Sequence, residues 1–218
     1  YNSPPYAILN GEEIIDGVIY DIVNELVDIV DIDVDFVNVP RKRVKAYLES
    51  GKIDLYLISN PKWLNVRGAQ WSIPLFKEKN IVVIKSSAPD IPDLDSLENK
   101  TIGTIRGFVY PKLTESFTHN KILRTDVRTL ALNFERLEKE WIDGFIDSDI
   151  LIDYYIKTSN KSHLFNVANF IVSEHNIQAI MSVQSPISLE KLNQALKTLK
   201  DDGVISAILS KYKVIQNN

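Results

Sequence analysis

The sequence predicts an α/β protein in which strands and amphipathic helices alternate to form a mostly parallel sheet covered by helices. Three observations carry that prediction. Residues 16–30 place Val18, Ile19, Ile22, Val23, Leu26, Val27 and Val30 on one broad helical face, whereas DVDFVNV (33–39) alternates at period two. The run from Ser185 to Lys213 repeats Leu189, Leu192, Ala195, Leu196 and Leu199, then Val204, Ile205, Ile208 and Leu209, as two amphipathic helices hinged at Gly203 would.

In order, the first half reads as a strand at YAIL (6–9), a helix over 16–30, a strand at 33–39, a helix over 41–49 and a strand at IDLYLI (53–58). After a loop from Ser59 to Pro74 comes the apolar run from Ile81 to Ile84. SSAPDIPDLDSLENK (86–100), rich in Pro, Asp and Ser, has the composition of a passage between domains. A second alternating series starts at TIGTI (101–105). It continues through a helix near 111–117, a helix over 130–141, strand-like DGFI (143–146) and a helix over 150–156. Strand-like NIQAIMSV (176–183) then returns the chain so that the C-terminal helices join the first half.

The chain has 218 residues, enough for one large domain or two lobes of about 100 residues each. It is 44% hydrophobic without a run near the roughly 20 apolar residues of a membrane span, so a soluble globular protein is expected. Net charge is −4, and the 25 basic residues are scattered, which argues against nucleic acid as a partner. The cluster Arg41, Lys42, Arg43 and Lys45 reads as the solvated first turn of a helix. Absence of cysteine excludes disulfides, thiolate metal sites and a cysteine nucleophile. No internal repeat or heptad pattern is present. No signal peptide opens the sequence, and the expectation is that a secretory segment precedes the given chain or has been removed.

Four segments recur in the order found in a known family: PPYAI (4–8), GVIYDIVNEL (17–26), the pair ESGKIDLYL (49–57) and WSIPLF (71–76), and the C-terminal helices with Asn193, Gly203, Lys211 and Tyr212. Across nearly its whole length the chain resembles the family 3 extracellular solute-binding proteins, the receptors of polar amino-acid ABC transporters. The resemblance implies a two-lobed periplasmic-binding-protein-like (type II) fold, each lobe a mostly parallel sheet with helices, joined by two hinge strands. The expected lobes are residues 1–84 with 183–218, and residues 85–182. A paired hinge permits closure around a ligand.

Catalytic and metal motifs are missing. There is no G-x-S-x-G, H-E-x-x-H or P-loop, and His119, His163 and His175 lack ligand spacing, so neither catalytic nor metal residues nor a cofactor are expected. TIGTIRGF invites a phosphate reading through Gly103 and Gly107 but lacks G-x-G-x-x-G. In the family a similar strand and turn offers backbone N–H groups to a ligand carboxylate. Here the turn is Arg106, Gly107, Phe108, Val109, Tyr110, with two aromatics where small hydroxyl residues are usual, which implies a bulkier pocket wall.

The resemblance also implies a carboxylate-clamping arginine seven residues before Ser72, but Asn65 stands there and Arg67 lies two residues later. Arg67 and Arg106 are therefore both candidates for that charge, against a plain role as exposed arginines. For the ligand ammonium, the family pattern counted from Asp143 falls on Ser148, flanked by Asp147 and Asp149; the competing role for these is a helix N-cap. Tyr6, Asn60, Trp63, Trp71, Phe108 and Tyr110 complete the expected ligand-binding set, with core packing the alternative for Tyr6, Trp63, Phe108 and above all Trp71.

The function implied is capture of a small polar or zwitterionic ligand, an amino acid or a related compound, by a periplasmic or extracellular monomer that serves a membrane ABC permease. Two rivals stand beside it. One is the sensing domain of a receptor. The other is an enzyme similar to cyclohexadienyl dehydratase, which shares the scaffold; Asp147, Asp149 and Glu174 would then be candidate acids or bases.

Overall fold

Helices and strands alternate as the periodicities demand in the computed structural model, which describes residues 3–212. Its elements are β1 (Ile8–Asn10), β2 (Glu13–Asp16), α1 (Val18–Val30), α2 (Val44–Glu49), β3 (Leu55–Ser59), β4 (Gln70–Trp71), β5 (Phe76–Lys85) and β6 (Thr101–Ile105). These are followed by α3 (Thr114–Thr118), β7 (Leu123–Val127), α4 (Leu130–Glu138), β8 (Gly144–Ser148), α5 (Asp149–Ser159), β9 (Phe165–Met181), α6 (Leu189–Asp201) and α7 (Val204–Tyr212). The described residues divide into two compact units, residues 3–77 with 175–212, and residues 78–174. β5 and β9 each contribute residues to both. Tyr1, Lys213 and the rest of the expected terminal segments lie outside the described residues.

In the first unit, α1 buries Val18, Ile22, Val23, Leu26 and Val30 and packs against α6 and α7. Those two helices bury Leu192, Ala195, Leu196, Leu199, Ile205 and Ile208, the stripe read from the sequence. Each buried Val, Leu or Ile among these contributes roughly 1.5–3 kcal/mol by leaving water. Ser188 caps α6 by accepting the Lys191 N–H at 3.1 Å. The start of α1 shows why glycine precedes it. Val18 and Ile19 N–H donate to the Pro5 and Tyr6 carbonyls at 2.8 and 2.9 Å. Gly17 has φ 119°, and a Cβ there would sit 2.7 Å from the Pro5 oxygen and 2.8 Å from that of Tyr6. The PPY and GVIYD segments are thus one packed joint.

Two more of the recurring segments meet elsewhere in the same unit. Ile73 N–H donates to Asn193 Oδ1 at 2.8 Å, pinning the Trp71-Ser72-Ile73-Pro74 turn to α6. Ser72 Oγ accepts the Ala179 N–H at 2.9 Å, and Ser72 N–H donates to the Ala179 carbonyl at 2.9 Å. The C-terminal end of β9 lies between β3 and β4, antiparallel to both. Val39, Val44, Leu48, Ile53, Val66 and Ile180 form the core beneath it.

At the end of α7, the Tyr212 hydroxyl lies 2.8 Å from Asp16 Oδ1 and 2.9 Å from Asp21 Oδ2, and accepts the Gly17 N–H at 3.1 Å. Lys211 Nζ donates to the same two carboxylates at 3.0 Å each. Partial burial raises the Asp16 carboxyl, but the hydrogen bonds from Tyr212, Lys211 and Gly17 outweigh it and hold Asp16 below its usual value. The Lys-Tyr ending therefore ties the last helix to the first.

The second unit is built on β5, β8, β6 and β7 in that order, with β5 antiparallel to β8 and the other pairs parallel. Val82, Ile84, Ile102 and Ile146 face one side, against Leu97, Tyr110, Leu113 and Val172. Ile81, Val83 and Phe145 face the other, against Phe134 and Leu137 of α4 and Ile152 of α5. Cover on both faces explains why the strand at 81–84 reads as an unbroken apolar run.

Two expectations are corrected. Residues 33–39 are not a strand: among the described residues no strand pairs with them, and Val34, Phe36 and Val37 are exposed. Period two marks a face but supplies no partner, and Asp33 and Asp35 are poor strand residues. Phe36 instead stacks on Tyr20 of α1, ring centroids 5.5 Å apart. The Pro- and Asp-rich stretch 86–100 is not a passage between units, since it lies inside the second one, anchored by buried Ile91 and Leu97. Turn-forming composition cannot distinguish an anchored loop from a linker.

Candidate functional site

In the second unit, β6 and β8 run parallel with Ile102 beside Gly144 and Gly103 beside Phe145; continuing that register brings Ile105 level with Asp147. Gly103 serves packing, because a Cβ there would lie 2.5 Å from Asn133 Oδ1 and 2.8 Å from Ile142 Cδ1. The phosphate reading thereby loses its first glycine. Beyond Ile105 the chain turns sharply: the Phe108 N–H donates to the Ile105 carbonyl at 3.1 Å, with Gly107 in the third position at φ 86°. Arg106 N–H extends the ladder to the Val127 carbonyl at 2.9 Å.

This turn leaves Arg106 exposed, Phe108 44% exposed and Val109 76% exposed, while Tyr110 turns inward. Burial, then the nearby Asp147 charge, pushes the Tyr110 phenol well above its usual range. Its hydroxyl points toward the Ile146 carbonyl, 3.5 Å away. Behind the turn, Thr104 Oγ1 donates to Asp126 Oδ1 at 2.5 Å. Arg124 spans the group: Nε donates to Asp126 Oδ1 at 2.9 Å and Nη2 to the Phe108 carbonyl at 2.9 Å. Burial raises the Asp126 carboxyl, yet its bonds to Thr104 and Arg124 prevail and lower it.

Asp147 is, with Asn133, one of two buried residues of this unit with a side-chain polar atom lacking a hydrogen-bond partner among the described residues. Its side chain is nearly buried at 5% exposure; Oδ1 accepts the Ser148 N–H at 2.8 Å, while Oδ2 has no hydrogen-bond partner among the described residues. Burial pushes the carboxyl up to about 7, opposed only by the Ser148 N–H. Such a group is costly unless something pairs with it. Asn80 on β5 stands opposite Ser148, itself buried, and donates from Nδ2 to Ser173 Oγ at 2.9 Å. Asp149 begins α5 and accepts the Lys79 and Ile150 N–H groups on Oδ1 at 3.1 and 3.0 Å, while the N-cap position itself falls on Ser148, which makes no side-chain cap bond.

The first unit holds the other predicted residues. Asn60 Oδ1 accepts the Lys62 N–H at 2.9 Å and Nδ2 donates to the Asn176 carbonyl at 2.7 Å, which fixes the turn carrying Trp63. Trp63 is 38% exposed and meets the His175 ring edge to face, centroids 5.1 Å apart. Burial, then the charge of Lys62, keeps the His175 imidazole below its ordinary value. Arg67 is exposed, its backbone N–H donating to Glu49 Oε1 at 3.1 Å. Tyr6 is buried, and Trp71 packs against the core of β9 and α2. Among the described residues no group of His, Asp or Glu is arranged to hold a metal ion. No described helix is long and apolar enough to cross a membrane.

A sequence model of the bacterial extracellular solute-binding proteins, family 3, matches residues 1–214. The chain belongs to that family. No curated protein matches it. Among solved structures, the ligand-binding core of GluR0 from Nostoc punctiforme, in complex with L-glutamate, is 17% identical with a TM-score of 0.73 over 97% of this chain and 95% of that one. An ancestral arginine-binding protein bound to glutamine is 20% identical, with a TM-score of 0.71 over 96% and 93%. The periplasmic VFT2 domain of BvgS from Bordetella pertussis is 17% identical, with a TM-score of 0.74 over 96% and 89%. These likenesses show the fold, the α/β two-lobed periplasmic-binding-protein type.

Sequence reasoning picked out Arg106, Phe108, Tyr110 and Asp147 but passed over Thr104, Arg124 and Asp126. Little in the sequence marks them: Arg124 and Asp126 are two apart, hence on one face of a strand, but both are exposed, where charged residues are ordinary.

Proposed function

We propose that this family 3 protein is an extracytoplasmic receptor that captures a small zwitterionic molecule, an amino acid or a close relative, between its two compact units. In this reading the units are the two lobes, with β5 and β9 as the hinge strands. One observation supports it most. The ends of adjacent parallel strands carry charges of opposite sign, the exposed Arg106 guanidinium after β6 and the buried, half-partnered Asp147 carboxyl on β8. A ligand carboxylate would pair with Arg106 and the Arg106–Tyr110 turn, and its ammonium with Asp147 Oδ2. Phe108, and Trp63 from the other unit, would wall the apolar part of the ligand.

Capture requires no chemistry on the ligand, only tighter binding to the closed arrangement than to the open one. The captured molecule would pass to a membrane ABC permease, with the receptor acting as a monomer. A thermal-shift screen against amino acids, polyamines, small carboxylates and oligopeptides tests this, since a ligand specific to the native state raises its melting temperature. Stabilisation by at least one amino acid is expected; no response from any polar compound sinks the reading.

The same buried carboxyl favours a second reading. A carboxyl titrating near 7 suits general acid or base work, as a cyclohexadienyl-dehydratase-like enzyme would need. Turnover of prephenate or arogenate at enzyme-like rates would select it over capture.

A further inference from the structure

We propose that Arg124 is a positioning residue for the ligand-receiving turn: from β7 it locks the Phe108 carbonyl, and so sets Arg106, without touching the ligand itself. The inference rests on the binding role just proposed for residues 106–110, and all of its geometry lies within the second unit.

The turn is held by its own backbone and by a neighbouring strand. Among the described residues, its backbone is tied back by the Phe108 N–H to Ile105 and the Arg106 N–H to Val127. Gly107 supplies the left-handed conformation but no side chain to pack. The Arg124 Nη2 bond to the Phe108 carbonyl, 2.9 Å long, holds that stretch from the neighbouring strand. The other side of the guanidinium is anchored, because Nε donates to Thr104 Oγ1 at 3.1 Å and Asp126 Oδ1 at 2.9 Å. Thr104 is fully buried on β6, one residue before the turn begins. The aromatic rings of Tyr110 and Phe117 flank the guanidinium carbon at 5.8 and 5.5 Å. The planar fork thus joins two strands, the turn carbonyl and two rings.

That arrangement separates Arg124 from Arg106. Arg124 spends its donors on protein acceptors, whereas Arg106 lies at the exposed second position of the turn, where its charge helps to lower the Asp126 carboxyl. A lysine at 124 would keep the positive charge and the pairing with Asp126, but its single ammonium cannot also span to the Phe108 carbonyl.

The test compares Arg124→Lys and the near-isosteric Arg124→Met with the unaltered protein, reading amide hydrogen exchange of residues 106–110 and calorimetric binding of L-glutamate as an anionic probe. Exchange at Phe108 is expected to speed up about tenfold in both variants while the amides of α4 and α5 keep their protection. L-Glutamate affinity is expected to fall about tenfold, and the loss to vanish when Arg124→Lys is made in an Arg106→Ala background, since the second residue acts through the first. General damage to the unit would not produce that dependence on Arg106. Unchanged exchange at Phe108, or an additive loss in the double variant, overturns the inference. Absence of L-glutamate binding in the unaltered protein counts against the anionic ligand class, and the exchange measurement then decides the positioning role by itself.

Discussion

Replacing Asp147 by asparagine removes the one buried carboxyl among the described residues whose second oxygen lacks a hydrogen-bond partner, and the effect on stability follows from linkage. In the folded protein the group holds its proton up to about 7, against an ordinary value of 3.8. Between those values the native state binds a proton that the unfolded chain has released, so stability falls as pH rises across the window and levels off above it. That interval corresponds to about 4 kcal/mol, an upper bound because the site relaxes when ionised. At about pH 4 the neutral acid and the amide are near isosteres, and the two proteins should unfold within about 1 kcal/mol of each other. At about pH 8 the asparagine variant should be more stable by a few kcal/mol, or roughly 10 °C in melting temperature for a chain of this size. Urea unfolding across that range measures the difference. Parallel stability curves for the two proteins would refute the argument, showing that Asp147 is hydrated or paired in solution. A ligand ammonium would replace the missing partner, so the same substitution that stabilises the free protein should weaken binding of an amino acid at high pH.

Three further outcomes are expected. Arg106→Ala should cost roughly 2–5 kcal/mol in binding a carboxylate ligand, read by calorimetry; an unchanged affinity removes this residue from the site. Gly17→Ala forces a Cβ to within 2.7 Å of the Pro5 oxygen at φ 119°, and should destabilise the first unit by more than about 1 kcal/mol in urea; a neutral result would show that the joint between the N-terminal segment and α1 yields. Tyr212→Phe should cost about 1–2 kcal/mol near neutral pH through the lost contacts to Asp16, Asp21 and Gly17. Asp16 has a lowered folded value, so its stabilisation is present above 3.8 and lost as pH falls below it. The variant should therefore lose less stability than the unaltered protein on acidification, and an identical acid limb in the two would contradict the network.

Helices with a single apolar face were legible because their burial is local in sequence. Leu192, Leu196 and Leu199 of α6, and Ile22 and Leu26 of α1, face the core as their spacing requires. Residues 33–39 misled because alternation records a face while a strand depends on a partner far along the chain. Part of the candidate site was also legible. The turn at 106–110 announces itself by glycine after a strand, whereas Asp147 entered only as a neighbour of Ser148 in the family pattern counted from Asp143. Thr104, Arg124 and Asp126 were hidden because they matter only through the pairing of β6 with β7. The meeting of Ile73 with Asn193, and of Gly17 with Pro5, likewise needs the fold to be seen.

The central claim, that Arg106 and Asp147 recognise the two ends of a zwitterion, is tested most directly by calorimetric titration at neutral pH. The amino acid that stabilises the protein most should be compared with the amine lacking its carboxyl and the acid lacking its ammonium. The account predicts one-to-one binding of the amino acid and a loss of at least about a hundredfold for each truncated compound, since each leaves one buried or preorganised charge unpaired. Equal affinity for the amino acid and either truncated compound would contradict it.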